Sequence, residues 1–194
     1  MKNKGGIVLT KPIDEMSAEE LGRLFPIILS EHDPAWAGLY AAERDRITGA
    51  VGKENIARIS HYGSTSVPGL LAKPTIDILI EIKDTTDTAA FIRNLTGIGY
   101  GYTPQSRSPP PHMMFMRGYS PEGFKGQAYH VHVRYSGDWD ELVFRDYLIA
   151  HPETAREYAD VKIRLREKFE FDREGYTWGK TEFIRAVGQK ARRE

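Results

Sequence analysis

Three short stretches hold residues whose types and spacing could do chemistry. The first is Gly63-Ser64-Thr65-Ser66, where a glycine meets three hydroxyls. A turn of this kind can aim backbone N–H groups and hydroxyls at an anion, and a helix starting near Ser66 would add favourable dipole density for phosphate. The same four residues also make an ordinary connecting turn with a Ser/Thr helix cap. The second is Lys73 followed by Asp77 and Glu81. On a strand Asp77, Leu79 and Glu81 share one face, while Ile76, Ile78 and Ile80 take the other. A carboxylate in so apolar a stretch is costly to bury alone, so it calls for a metal or a basic partner on a neighbouring strand. The third is His130-Val131-His132-Val133-Arg134. Both imidazoles and the guanidinium fall on one strand face, a row able to bind a divalent metal, move a proton or hold a phosphate. A solvated edge-strand face reads the same way.

Weaker signals surround these. His61 precedes the Tyr62-Gly63 turn and reads as a half-buried, hydrogen-bonded histidine. The run Lys162, Arg164, Arg166 and Lys168, interleaved with Glu167 and Glu170, reads as a solvated helix face. Lys180 and Glu182 lie near Trp178. No Walker A, dinucleotide glycine fingerprint, nucleophile elbow or HExxH pattern is present.

The elements that must position these residues follow from periodicity and punctuation. Ser17 with Glu20 forms a capping box, predicting a helix over 17–24 that ends before Pro26. Residues 25–29 read as a short strand with proline near its start. Asp33-Pro34 opens a helix that Trp36, Leu39, Tyr40, Ile47 and Val51 carry to about residue 50. Strands are predicted over 56–62 and 74–82, and a helix over 88–95 that Gly97, Gly99 and Gly101 break before residues 100–103. A polar, proline-rich loop covers 104–111. Strands over 113–117 and 128–135 are joined by a glycine-rich turn over 120–126. After Gly137 the pattern turns helical: 139–150, 152–171 and 173–191, with Tyr158, Val161, Leu165 and Phe169 as one apolar stripe. The sequence therefore predicts an α+β protein, a mixed or antiparallel sheet with flanking helices and a helical C-terminal part, in a single unit over 1–194.

Charge and composition narrow the function classes. The 27 Lys+Arg and 27 Asp+Glu of the 194 residues cancel, which argues against a broad nucleic-acid surface. One local cationic pocket for a phosphorylated metabolite remains compatible with that balance. Cysteine is absent, so no disulfide, thiolate nucleophile or Cys-based metal site is available. The apolar run Ile7–Leu9 is too short for a signal peptide, and no stretch reaches the roughly 20 apolar residues of a membrane span. The expectation is a cytoplasmic protein without membrane partners.

The segment from Ile59 through Gly63-Ser64-Thr65-Ser66-Val67-Pro68-Gly69 and Lys73-Pro74 to Ile78 resembles the signature of the GrpB family. Asp33-Pro34-Ala35-Trp36, His130-Val131-His132, the stretch 139–152 and Lys180–Ile184 extend the resemblance over roughly 24–187. The family is regarded as a member of the nucleotidyltransferase superfamily. That resemblance implies a Gly-Ser turn gripping a triphosphate, a carboxylate pair on the next strand binding two Mg²⁺ ions, and a third carboxylate on a later strand. Gly63, Ser64 and Asp77 match. Leu79 stands where the second carboxylate belongs, and the third position falls on a strand offering His130 and His132. Imidazole suits Mn²⁺ or Zn²⁺ better than Mg²⁺.

The resulting expectation is a protein that binds a nucleotide or phosphorylated small molecule, with metal-dependent nucleotidyl transfer as its chemistry. Gly63, Ser64 and Thr65 would hold phosphate with Lys73, Arg134 and Lys180. Asp77 and His132 would be catalytic. Asp77, Glu81, His130 and His132 would hold a divalent metal, Mg²⁺ or Mn²⁺ ahead of Zn²⁺, with no organic cofactor. Two alternatives stand beside it: an inactive ligand- or protein-binding module, favoured by Leu79, and a one-metal hydrolase built on the histidines. Alternating histidines also mark histidine-triad nucleotide hydrolases, whose third histidine is Arg134 here.

Overall fold

A computed structural model describes residues 11–105, 108 and 111–194. Most of the expected loose N-terminal start, and part of the 104–111 loop, lie outside the described residues. The chain begins with helix α1 (Ala18–Leu24), closed by the Ser17–Glu20 capping box. Helix α2 (Ala35–Val51) starts where the Asp33 carboxylate accepts from the Ala35 N–H at 2.8 Å. Strands β1 (Ile56–Tyr62) and β2 (Thr75–Ile82), helix α3 (Thr88–Gly97), and strands β3 (Gly101–Pro104), β4 (Met113–Ser120) and β5 (Gly123–Tyr135) follow. Asp87 caps α3 by accepting from Ala89 and Ala90. The C-terminal part is helical: α4 (Asp140–Ala150), α5 (Pro152–Phe169), α6 (Arg173–Gly179) and α7 (Thr181–Ala191).

The five strands form one mixed sheet in the order β1-β2-β5-β4-β3, with β2 and β5 parallel and the other neighbours antiparallel. The α+β expectation holds. Period-2 alternation sends Ile76, Ile78, Ile80 and Ile82 of β2, with Tyr129, Val131 and Val133 of β5, into one core under α2 and α3. Trp36, Ile47, Phe91 and Leu95 complete that layer. The same alternation turns Asp77, His130 and His132 to the opposite face. A smaller cluster of Val67, Leu70, Leu148, Ala155 and Tyr158 ties the C-terminal helices to the turn after β1.

Three expectations are corrected. Residues 25–29 form no strand; they run extended, and only Ser30 bridges Ala72. Pro26 has no N–H to give a ladder, and the neighbouring backbone bonds the helical part instead. Ile27 N–H donates to the Glu170 carbonyl at 2.8 Å, and Arg173 donates to the Phe25 carbonyl. Buried Phe25 and Ile27 explain the strand-like pattern. The helix expected over 173–191 is two helices parted at Lys180. The turn expected over 120–126 is much tighter, since β4 and β5 pair as far as Ser120 and Gly123.

Candidate functional site

The turn after β1 is built around one close approach. Gly63 sits at φ 72°, and a Cβ there would lie 3.0 Å from the Asp77 Cβ and Cγ and nearer still to its Oδ2. Only glycine lets the turn lie against that carboxylate. The hydroxyls of the turn divide their work. Thr65 is buried, donating to the Thr75 carbonyl at 3.0 Å and meeting His61 Nε2 at 3.0 Å. Ser66 donates to the Gly63 carbonyl. Ser64 alone turns toward the helical part, where Lys162 Nζ lies 3.3 Å from its Oγ.

Parallel pairing puts Asp77 opposite His130 and Leu79 opposite His132. Asp77 Oδ1 lies 3.4 Å from His130 Nδ1, and the other ring nitrogen of His130 meets the Tyr119 hydroxyl at 2.7 Å. Burial pushes the Asp77 carboxyl up, but the His130 hydrogen bond and the charges of His130, Lys73 and His132 outweigh it and hold it below its usual value. Burial lowers both His132 and His61 to about 4, so both imidazoles are neutral at pH 7. Tyr119 enters the site through a bulge. The β4–β5 register shifts between Arg117 and Tyr119, where Gly118 at φ 93° leaves no room for a Cβ against the Gln127 carbonyl. That extra residue re-aims Tyr119 onto the His130 face.

The charge at the site comes from lysines. Lys73, Lys162 and Lys180 all lie beside this face, and none pairs with a carboxylate among the described residues. Lys162 is only 2% exposed; it donates to the Leu71 carbonyl and lies 4.7 Å from the centre of the Tyr158 ring. Burial, then the Lys180 charge, lowers its amine to about 7. Lys73 is lowered to about 7 by burial and by the charges of Lys180 and Arg173, against the pull of Asp77. Lys180 is lowered by burial, with Asp77 opposing. Tyr176 is shared, its ring centre 5.7 Å from Lys73 Nζ and 4.6 Å from Lys180 Nζ. Aromatic faces thus supply part of the counter-charge that carboxylates do not.

Of the sequence-predicted residues, Gly63, Ser64, Lys73, Asp77, His130, His132 and Lys180 come together. Thr65 is spent on holding the turn. Two others are engaged elsewhere on the face. Glu81 is buried four residues along β2, paired with Arg58 and accepting from the Gly137 N–H at 3.0 Å. Arg134 is bidentate to Glu141 at 3.0 and 2.6 Å and lies 4.5 Å from the Trp139 ring centre, so its charge is neutralised there. The ligand set expected for a metal does not assemble. Among the described residues no group of three or more His, Cys, Asp or Glu is arranged to hold an ion. Leu79 is 2% exposed in the core-like packing of the second-carboxylate position. Both nitrogens of His130 are occupied. The residues present do not fit a two-Mg²⁺ pair.

Lys162 is the main correction, because its run reads as solvated in the sequence. It nonetheless lies four residues from Tyr158, three from Leu165 and seven from Phe169, inside the apolar stripe of α5. A lysine interrupting an apolar stripe was the available signal. Tyr119 was marked only by Gly118, a glycine inside a strand.

No described helix is long and apolar enough to cross a membrane. The fold matches that of the Cid1 poly(U) polymerase in a structure bound to MgATP, at TM-score 0.50 and 10% identity over 77% of this chain and 50% of that one. A crystal structure of the conserved protein GrpB from Enterococcus faecalis is much more similar, with TM-score 0.72 and 28% identity over 84% of this chain and 96% of that one. Among sequences, a UPF0157 protein of Pseudomonas aeruginosa is 40% identical over 80% of this chain, and YqkA of Bacillus subtilis is 34% identical over 84%. The matched regions span 63% and 46% of those two relatives' own lengths. The sheet that sets Asp77 beside the Gly63 turn is thus a shared one, and the GrpB protein family model accounts for residues 26–190: the chain belongs to the GrpB family.

Proposed function

We propose that the chain binds the phosphate groups of a nucleotide or phosphorylated small molecule at the Gly63–Ser64 turn. The observation that carries this reading is that Lys162 reaches Ser64 of that turn while Lys73 and Lys180 lie within electrostatic reach of Asp77, which abuts Gly63, and none of the three forms an ion pair with a carboxylate among the described residues. Three amines held near one another in a half-buried site repel, and each has lost hydration. A phosphate would relieve both costs by supplying negative charge and acceptor oxygens. Ser64 Oγ offers one more hydrogen bond to the same group. Gly63 keeps the turn against Asp77, and the Asp77–His130–Tyr119 chain can hold or pass a proton beside the bound ligand.

The donor set favours binding of the phosphate by lysine over a metal bridge. Leu79 removes the second carboxylate, and Glu81 is committed to Arg58. The non-catalytic ligand-binding alternative gains from the same observation.

Thermal-shift measurements with inorganic pyrophosphate, ATP and AMP, each with EDTA or with Mg²⁺, test the proposal. ATP is included because a protein of the same fold is bound to MgATP in its crystal. Pyrophosphate and ATP should raise the melting temperature by several degrees in EDTA, and AMP less. A panel without any shift, or shifts seen only with Mg²⁺, would count against lysine-based phosphate binding.

A further inference from the structure

A cleft of about 270 Å³ with Lys73 in its wall opens between the extended 25–30 segment, the start of β2 and the β4–β5 hairpin. Pro26, Ile28 and Phe124 form its apolar walls, and Lys73, Arg173 and Tyr119 its polar side. Ile28 and Phe124 are 48% and 42% exposed, large apolar side chains left at the mouth of a concavity. Arg173 donates to the Phe25 carbonyl at 2.8 Å, which fixes the guanidinium in the wall, and its Cζ lies 5.9 Å from the Tyr119 ring centre. Neither Arg173 nor Lys73 pairs with a carboxylate among the described residues.

Apolar walls with a few converging polar groups are the ordinary make-up of a small-molecule site. Here both charged groups are cations, which selects an anion. The volume lies below the 300–1,000 Å³ usual for drug-sized ligands, so the occupant is small. We propose that this cleft binds a small organic anion, an apolar or aromatic body bearing a carboxylate or phosphate, as a second ligand beside the phosphate-bearing one. The proposal rests on the lysine-pocket reading only through Lys73, which borders both. Tyr119 gives the cleft a line to the central carboxylate, since its hydroxyl meets His130, and His130 meets Asp77. An anion seated here would place its body within reach of that proton-carrying chain.

Calorimetric titration of the full chain with benzoate and with phenyl phosphate tests this, with inorganic pyrophosphate titrated in parallel. Ile28 is exposed, so Ile28→Glu leaves packing intact while setting a carboxylate at the cleft mouth. Ile28→Glu should weaken benzoate at least fivefold and pyrophosphate, which shares only Lys73 with the cleft, by a clearly smaller factor. Arg173→Gln should likewise weaken benzoate at least fivefold. A stronger response to phenyl phosphate than to benzoate identifies the head group as phosphoryl, and the reverse as carboxylate; either supports the cleft. Failure of both probes to saturate overturns the proposal, as does equal loss of benzoate and pyrophosphate in Ile28→Glu. Pyrophosphate that fails to bind the wild-type chain while benzoate still binds overturns the lysine-pocket reading and leaves the cleft standing.

Discussion

Replacing Lys162 with methionine is expected to weaken pyrophosphate binding at least tenfold, about 1.4 kcal/mol, in a protein that still folds. A hydrogen bond to a charged group contributes about 1.5–3 kcal/mol, and Lys162 is the amine nearest the Ser64 hydroxyl. Methionine matches the length and apolar body of the lysine stem, so the packing against Tyr158 survives. Stability should change in a way that separates charge from shape. The amine titrates near 7 in the folded chain and near 10.5 when unfolded. Between those values the unfolded chain binds more protons, so the lysine's effect on stability becomes less unfavourable as pH rises through that window. The variant lacks that rise. Denaturant titrations at several pH values should show a flatter stability curve for Lys162→Met between about pH 7 and 10. Unchanged pyrophosphate affinity in this variant would remove Lys162 from the site.

Gly63→Ala is expected to destabilise the chain and disturb the site together. The residue occupies φ 72°, and its added Cβ would press on the Asp77 carboxylate. Backbone strain of this kind costs about 1–3 kcal/mol, and displacement of Asp77 from His130 would add to it. Gly69 makes a suitable control, since it has φ 73° with nothing within 4 Å of a Cβ. Gly69→Ala should carry the backbone strain alone. Chemical denaturation should therefore place Gly63→Ala below Gly69→Ala in stability, and only Gly63→Ala should lose pyrophosphate affinity. Equal behaviour of the two variants would show that the contact with Asp77 has no role.

The sheet was legible in the sequence because its central strands alternate so strictly. Isoleucine at every second position of 76–82 and valine at 131 and 133 define one core face, and that alone turns Asp77, His130 and His132 the other way. Capping chemistry gave the helix starts at Ser17 and Asp33, whereas the Asp87 cap of α3 is seen only in the structure. What stayed hidden depends on contacts distant in the chain. Segment 25–29 has a strand's apolar pattern, but its partners are Glu170 and Arg173, some 145 residues further along. Arg134 shows a free cation in the sequence, yet Glu141 from α4 closes on it. Glu81 shares a face with Asp77, and Arg58 on the neighbouring strand claims it. Lys162 looks solvated beside Arg164 and Arg166, and only the packing of α5 onto the turn after β1 buries it. The Gly63–Ser64 turn, its carboxylate and the candidate amines Lys73 and Lys180 could thus be read from the sequence, while Lys162 could not.

The central claim is that phosphate is held directly by lysines poised to gain a proton. Lys73 and Lys162 titrate near 7, so both are largely charged at about pH 6 and largely neutral at about pH 9. The most direct measurement is calorimetric titration of inorganic pyrophosphate into the chain in EDTA at those two pH values, repeated near pH 8 in buffers of different ionisation enthalpy. The account predicts saturable binding at pH 6, at least tenfold weaker binding at pH 9, and net proton uptake near pH 8 as the amines charge. Equal affinity at both pH values, absence of proton uptake, or binding that appears only when Mg²⁺ is supplied would contradict it.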